Sequence, residues 1–126
     1  MTDYRIASQR SDWKSYTLWA AQVLTAFAFF AAGMAKIAGA ERMVTLFNEI
    51  GAGQWFRYTT GVLEMTGAIL ILIPSRAWLG GLLLSCIMVG AIYVHLAVVG
   101  GSFLPALVLL VLAAWIAYER RPAIRA

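Results

Sequence analysis

Long apolar runs dominate this sequence of 126 residues. Hydrophobic residues make up 62% of the chain and charged residues only 13%, whereas a soluble domain is usually nearer half apolar and a quarter charged. A compact particle of this size could not hide so much apolar surface from water. We therefore expect the folded chain to lie in lipid.

The apolar runs predict how often the chain crosses a membrane. A helix needs about 20 mostly apolar residues to cross the hydrocarbon of a bilayer. Only tight turns separate the last three runs, so consecutive helices must run antiparallel. We expect an all-α membrane protein, a single domain over residues 1–126, built as an antiparallel bundle of four transmembrane helices. The predicted spans are 18–38, 57–73, 77–99 and 103–118.

The connection between the first and second spans has a helical pattern of its own. Met43, Leu46, Phe47 and Ile50 are spaced to share one helix face, and polar residues occupy the remaining arc. This pattern predicts a short amphipathic helix over residues 41–50, lying at the membrane interface.

The first apolar run also allows a second interpretation. Ala38-Gly39-Ala40 resembles a signal-peptidase site, and basic residues precede the run. The apolar part of a signal peptide is about 7–15 residues long, however, and this run is longer. We favour a retained helix over a cleaved signal, preceded by a polar cytoplasmic tail or a short surface helix over residues 1–17.

The basic residues, which give the chain a net charge of +4, predict its orientation. One side of the membrane would hold both termini, the turn at residues 74–76 and seven bases: Arg5, Arg10, Lys14, Arg76, Arg120, Arg121 and Arg125. The other side would hold Arg42 and Arg57, with Lys36 just inside it. This asymmetry favours cytoplasmic termini and contacts with anionic lipid. No basic stripe with interleaved aromatic residues appears, so we do not expect nucleic acid as a partner.

Cysteine and histidine usage limits the possible chemistry. Cys86 and His95 are the single residues of their types, so an internal disulfide, a redox cysteine pair and a protein-held metal site are not expected. The chain also lacks a flavin fingerprint and the ligand set of an iron–sulfur cluster. We do not expect the isolated chain to act as an enzyme.

Three ionisable residues nevertheless lie within or beside apolar spans: Lys36, Glu64 and His95. Charged groups at membrane depth cost several kcal/mol unless they are paired, line a cavity or reach the interface. The helical rise of about 1.5 Å per residue puts all three in the same leaflet, on three different helices. Gly33 and Gly61 each precede a charged residue by three positions and would clear space on the same face.

These positions predict a polar pocket below the outer membrane surface, with Arg57 and Tyr58 at its mouth. Structural alternatives stay open for each residue. Lys36 could extend to the interface, Glu64 could form an ion pair that only fixes the fold, and His95 could be a hydrogen-bonded packing residue.

The same landmarks carry a family resemblance. The chain resembles the DoxX-like family of small bacterial membrane proteins over roughly residues 27–110, in Phe30-Ala31-Ala32-Gly33-Met34-Ala35-Lys36, Gly53-Gln54-Trp55-Phe56-Arg57-Tyr58, Gly61-Val62-Leu63-Glu64, Gly67, Met88-Val89-Gly90-Ala91 and His95-Leu96. The resemblance implies a four-helix bundle in the bacterial inner membrane, with Lys36, Glu64 and His95 at recurrent polar positions. Some relatives are subunits of thiosulfate:quinone oxidoreductase or are linked to oxidative-stress complexes.

The leading functional hypothesis is an accessory membrane subunit that holds a small lipophilic ligand, with quinone as the candidate. Lys36 or His95 would donate a hydrogen bond to a ligand carbonyl, and Glu64 would orient Lys36 or relay a proton. One alternative is the membrane subunit of a quinone-coupled oxidoreductase that works with a partner redox protein. Another is a structural or assembly protein without a ligand. Self-association stays open under all three.

Overall fold

Helices account for nearly all of the chain in the computed structural model, which describes the backbone of residues 2–122 and the side chains of residues 13–122. The described part contains five α-helices and no strand, so the all-α prediction is confirmed. The helices are α1 (Thr2–Ala38), α2 (Glu41–Ile50), α3 (Gln54–Ile71), α4 (Ala77–Val94) and α5 (Leu104–Glu119). A π-helical turn over His95–Val99 continues α4.

The amphipathic connection forms the predicted helix. Helix α2 covers Glu41–Ile50, and of its residues Phe47 is buried, with Met43, Leu46 and Ile50 half-buried on the same side. The exposed side chains are those of Glu41, Arg42, Thr45, Asn48 and Glu49. The apolar spacing therefore identified the packed face of α2 correctly.

The prediction of a separate N-terminal tail or surface helix is wrong. Helix α1 runs without a break from Thr2 to Ala38. No glycine or proline occurs before Gly33, so nothing in the sequence stops the helix at the polar–apolar boundary near Leu18. The change in polarity marks a change of surroundings and not the end of an element.

Two segments are long and apolar enough to cross a membrane by length and composition, Trp13–Ala38 and Ala77–Val99. Helix α5 is apolar but shorter. Helix α3 carries Arg57 and Glu64 among its apolar residues.

The described helices expose many large apolar side chains, while a few polar side chains are buried among the apolar residues of the core. Buried polar residues are Gln22, Thr25, Arg57 and Glu64, whereas the exposed residues include Leu24, Phe27, Val62, Leu82, Val89, Val108 and Val111. Water would penalise such a large apolar exterior. Lipid does not, so the arrangement is that of a membrane-associated protein.

Small residues set the spacing between neighbouring helices. A methyl group at Gly33 would lie 2.7 Å from the Gly61 carbonyl oxygen, and one at Gly80 would lie 2.7 Å from the Gly67 carbonyl oxygen. At Gly81 the same test meets the Ala113 carbonyl oxygen at 2.6 Å. Helices α1, α3, α4 and α5 thus approach backbone to backbone, as small residues allow in lipid.

A polar junction joins α1, α3 and α5 at the end of the molecule away from α2. The fully buried Gln22 donates from Nε2 to the Ile71 carbonyl oxygen at 2.7 Å. Its Oε1 accepts a hydrogen bond from Nε of Arg120 at 2.9 Å. An ion pair of 2.8 Å between Lys14 and Glu119 lies beside it. One buried glutamine therefore connects three helices through its amide group.

Candidate functional site

The site begins at the turn that ends α1. Gly39 has φ +74, and the amide of Ala40 donates to the Ala35 carbonyl oxygen at 3.0 Å. The Gly39 amide donates to the Lys36 carbonyl oxygen at 3.3 Å. This pair of bonds is a Schellman motif, in which glycine supplies the left-handed residue. It fixes Lys36 in the last turn of α1.

Lys36 and Glu64 form an ion pair between α1 and α3. The Lys36 Nζ atom lies 3.0 Å from Oε1 and 3.2 Å from Oε2 of Glu64, so the ammonium contacts both carboxylate oxygens. The Glu64 side chain is 2% exposed and that of Lys36 is 13% exposed. Gly33 and Gly61 meet one helical turn away, and their close approach brings the two charged side chains within reach of each other.

Arg57 contacts the end of α1 and the start of α3. Its Nη1 donates to the Lys36 carbonyl oxygen, and its Nε donates to Oε1 of Gln54 at 2.7 Å. The guanidinium carbon lies 4.3 Å from the centroid of the Tyr58 ring. A cation at the carbonyl end of a helix is favourably placed against the helix dipole. Arg57 therefore caps α1 while Tyr58 covers one face of the guanidinium.

Gln54 extends this set of bonds to α2. Its Nε2 donates to the Val44 carbonyl oxygen at 3.1 Å and to Oδ1 of Asn48 at 2.7 Å. We call Asn48, Gln54, Arg57, Lys36 and Glu64 the polar chain, because each member is bonded to the next. Through it, the buried carboxylate of α3 is connected to the amphipathic helix.

His95 lies apart from the polar chain. Its Nδ1 is 2.9 Å from the Gly100 carbonyl oxygen, and no hydrogen bond or ion pair in the described part of the chain joins it to Lys36, Glu64 or Arg57. A carbonyl oxygen can only accept, so Nδ1 must carry the hydrogen of this bond. In the neutral ring, Nε2 then has a free lone pair.

His95 lines a cavity of about 860 Å³ between α2 and the segment that leads into α5. The volume lies within the usual range of small-molecule sites. The α2 wall consists of Glu41, Arg42, Met43, Thr45, Leu46 and Glu49; the opposite wall consists of His95, Val99, Gly100, Gly101, Ser102 and Pro105.

Four of the five predicted site residues are thus brought together and one is not. Lys36, Glu64, Arg57 and Tyr58 contact one another directly or through one neighbour, yet none of them lines the cavity. His95 lines the cavity without them. That any of these residues binds a ligand stays a prediction.

The lining of the cavity is mixed in polarity. Within the described residues no group of three or more His, Cys, Asp or Glu side chains could hold a metal. The walls combine apolar side chains with polar and charged ones; the latter are those of Glu41, Arg42, Thr45, Glu49, His95 and Ser102. Ligand pockets typically pair apolar walls with a few polar groups.

Sequence reasoning missed the importance of Gln54 and Gln22. Gln22 gave the same signal as Glu64, a polar residue inside an apolar run, and could have been found by it. Gln54 gave no such signal, because it lies at the start of α3 and not inside an apolar run. Its role depends on where α2 folds back, which local spacing does not specify.

Two comparisons with known proteins found similar sequences. The family model described as "DoxX-like family" matches residues 20–117. A relative from Bacillus subtilis (strain 168), named "Putative oxidoreductase CatD", is 28% identical over 71 residues, which are 56% of this chain and 53% of that protein. The similarity therefore spans only about half of CatD. No solved structure matches the chain.

Proposed function

The chain belongs to the DoxX-like family, and from that premise we propose that it is a multi-pass membrane protein that holds a small lipophilic ligand with a quinone-type head group. The observation that carries the proposal is the cavity of about 860 Å³ lined by His95. The proposed role is therefore that of an accessory, ligand-holding subunit.

The proposed topology has α1, α3, α4 and α5 crossing the bacterial inner membrane as an antiparallel bundle. Contacts support it: Gln22 meets Ile71 and Gly33 meets Gly61, so residue order is reversed between α1 and α3. The 18 residues of α3 and 16 of α5 are about 27 and 24 Å long, close to the hydrocarbon thickness of about 30 Å. Helix α2 would lie at the outer interface and both termini in the cytoplasm.

The two clusters would have different roles. His95 and Ser102 line the cavity and would contact the head group, while the apolar part of the ligand lies against Met43, Leu46 and Val99. Lys36, Glu64 and Arg57 would act through Gln54, which is bonded to α2. The polar chain would thus hold one wall of the cavity in position without touching the ligand.

The test is native mass spectrometry of the protein extracted gently from its own membrane, followed by quinone analysis of the extract. We expect a stoichiometric quinone in the natural sequence and its loss in His95→Ala. Thr66→Val is a suitable control, because the exposed Thr66 hydroxyl bonds only to the Val62 carbonyl oxygen of its own helix. A folded protein that never retains a quinone would contradict the proposal.

A second candidate is the membrane subunit of an oxidoreductase, and the similarity to CatD favours it. Under this proposal a separate redox protein would dock and exchange electrons with the bound ligand. Affinity purification from native membranes, with absorbance spectra recorded for flavin or haem, would test it. A chromophore-bearing partner that purifies in fixed ratio is the expected result, and purification of the chain alone would contradict it.

A further inference from the structure

An apolar groove lies between α1 and α3 on the exterior of the molecule, with a volume of about 320 Å³. The small buried side chains of Ala26 and Ala68 form its floor, and the larger exposed side chains at its edges are those of Val23, Phe27, Ile69 and Leu72. Such a groove accepts a hydrocarbon chain, which any membrane lipid supplies. Selectivity for one kind of lipid therefore has to come from polar groups at an end of the groove.

One end of the groove adjoins the polar junction around Gln22. Val23 and Leu72 directly follow the two residues that are joined by the buried glutamine–carbonyl bond of 2.7 Å. Trp19 lies one helical turn before Val23, on the same face of α1. The guanidinium carbon of Arg120 is 5.4 Å from the centroid of the Trp19 ring. The arginine side chain thus crosses from the end of α5 to the part of α1 where the groove ends.

The guanidinium of Arg120 is held in place but lacks a counter-charge. Its Nε donates to Oε1 of Gln22 at 2.9 Å, and Gln22 is itself fully buried. Nη2 is buried and has no hydrogen-bond partner among residues 13–122. The neighbouring Glu119 carboxylate lies 2.8 Å from Nζ of Lys14, and neither ion pair in the described part of the chain includes Arg120. A buried cationic group without a partner is costly, so the arrangement favours a bound anion.

We propose that this end of the protein binds one anionic phospholipid, whose phosphate pairs with Nη1 and Nη2 of Arg120 while an acyl chain occupies the groove. A planar guanidinium matches a phosphate through two parallel N–H···O bonds. An ammonium head group finds no free carboxylate beside Arg120, because Glu119 is paired with Lys14. The site therefore favours an anionic lipid over a zwitterionic one.

This site is separate from the one proposed above. It lies at the end of the molecule away from α2 and shares no residue with the cavity of His95. In the proposed topology its lipid belongs to the cytoplasmic leaflet.

The test is a titration of the delipidated full chain in detergent with phosphatidylglycerol or with phosphatidylethanolamine of the same acyl chains, read by native mass spectrometry. We expect the first phosphatidylglycerol to bind about tenfold more tightly than phosphatidylethanolamine. Arg120→Gln should lower phosphatidylglycerol affinity about tenfold, because charge-assisted bonds to the phosphate are lost. Arg76→Gln is the control, since it removes the same charge from the exposed turn before α4 and should leave the affinity unchanged.

A second pair of variants tests the groove while Arg120 stays intact. Val23→Trp adds a ring at the end of the groove and should weaken phosphatidylglycerol binding severalfold, because less of the acyl chain is buried. Leu24→Trp adds the same ring at an exposed position outside the groove and should have no effect. Thermal unfolding of every variant reports whether the fold is kept. Inorganic phosphate should not displace the lipid, because it gains nothing from the groove.

A preference for phosphatidylglycerol that depends on both Arg120 and the open groove supports the proposal. Equal binding of the two lipids, or equal effects of Arg120→Gln and Arg76→Gln, overturns it. Displacement by inorganic phosphate at comparable concentration overturns it too, since the site would then bind simple anions. Binding to Val23→Trp as tight as to Leu24→Trp would show that the groove takes no part. None of these outcomes bears on the ligand proposed for the cavity of His95.

Discussion

Lys36 and Glu64 form an ion pair in the interior of this protein, and each charge depends on the other. Both side chains are largely withdrawn from solvent, and the ammonium contacts both carboxylate oxygens. Removing one member of a buried pair leaves the other charge without compensation, whereas removing both charges removes the problem. The contribution of the pair to the free energy of unfolding is therefore obtained by comparing variants that lack one charge with the variant that lacks both.

We expect Glu64→Gln to lower the free energy of unfolding by about 3–5 kcal/mol, because the Lys36 ammonium loses its counter-charge. The double variant Lys36→Met/Glu64→Leu should be more stable than either single variant. Thermal unfolding in one detergent, arranged as a double-mutant cycle, measures both effects. A double variant as unstable as the sum of the two single variants would show that the residues do not interact.

Alanine substitutions at two glycines provide a matched pair of tests of how closely the helices pack. Gly33→Ala would place a methyl group 2.5 Å from Cγ of Met65 and 2.7 Å from the Gly61 carbonyl oxygen. The methionine side chain can move but the backbone cannot, so α1 and α3 must separate, at a cost of about 1–3 kcal/mol. In α4, Gly90→Ala meets nothing within 4 Å and should be neutral or slightly stabilising.

Thermal unfolding of the two glycine variants in the same detergent checks this difference. If Gly33→Ala unfolds at the same temperature as Gly90→Ala, the close crossing of α1 and α3 is wrong.

At the scale of elements, helix α2 depends on few contacts. Phe47 is its one fully buried residue and lies with its ring 5.7 Å from that of Phe56. Met43, Leu46 and Ile50 are half-buried beside it, and Gln54 adds hydrogen bonds to Val44 and Asn48. An element with so few contacts is expected to open locally before the rest of the protein unfolds.

We expect Gln54→Ala to increase hydrogen exchange of the α2 amides while α3 and α4 keep their protection, since bonds to Val44, Asn48 and Arg57 are lost together, each worth about 1 kcal/mol. Thr59→Ala is the control, because the exposed Thr59 hydroxyl bonds only within its own helix. Hydrogen exchange with mass spectrometry would resolve the segment. Unchanged exchange over residues 41–50 would mean that Gln54 does not hold α2.

The sequence patterns predicted helix α2 and the Lys36–Glu64 pair but not the position of His95. The period of apolar residues located α2, and the polar residues three positions after Gly33 and Gly61 identified a pair that does meet. His95 was assigned to the same pocket because distance along a helix gives depth. It does not give the direction around the helix axis or the lateral position of the helix, and His95 is bonded to its own turn and not to the pair.

At the scale of the whole molecule, the four-span topology is the proposal with the most direct test. Cys86 is the natural cysteine of the chain, and Cys86→Ala provides a background for single new cysteines. Thr45 on α2 and Ser75 in the turn before α4 are both exposed. The proposed topology places them on opposite sides of the membrane.

We expect a membrane-impermeant maleimide to label Thr45→Cys in intact spheroplasts and to label Ser75→Cys only after lysis. The reason is that the label cannot cross the lipid to reach the cytoplasmic turn. Labelling after denaturation in detergent serves as the control for reactivity. The opposite pattern would invert the orientation, and labelling of both sites in intact cells would contradict the four-span arrangement.

Helix α1 is unbroken and connects two distant parts of the molecule. Its 37 residues extend for about 55 Å, whereas the hydrocarbon of a bilayer is about 30 Å thick. In the proposed topology the helix ends beside α2, so the excess length of roughly 25 Å projects on the cytoplasmic side. With no hinge between Thr2 and Lys36, one inserted residue within α1 would rotate the projecting segment against the ion pair by about 100°. The helix that positions Lys36 therefore also determines the direction in which the side chains of the cytoplasmic segment face.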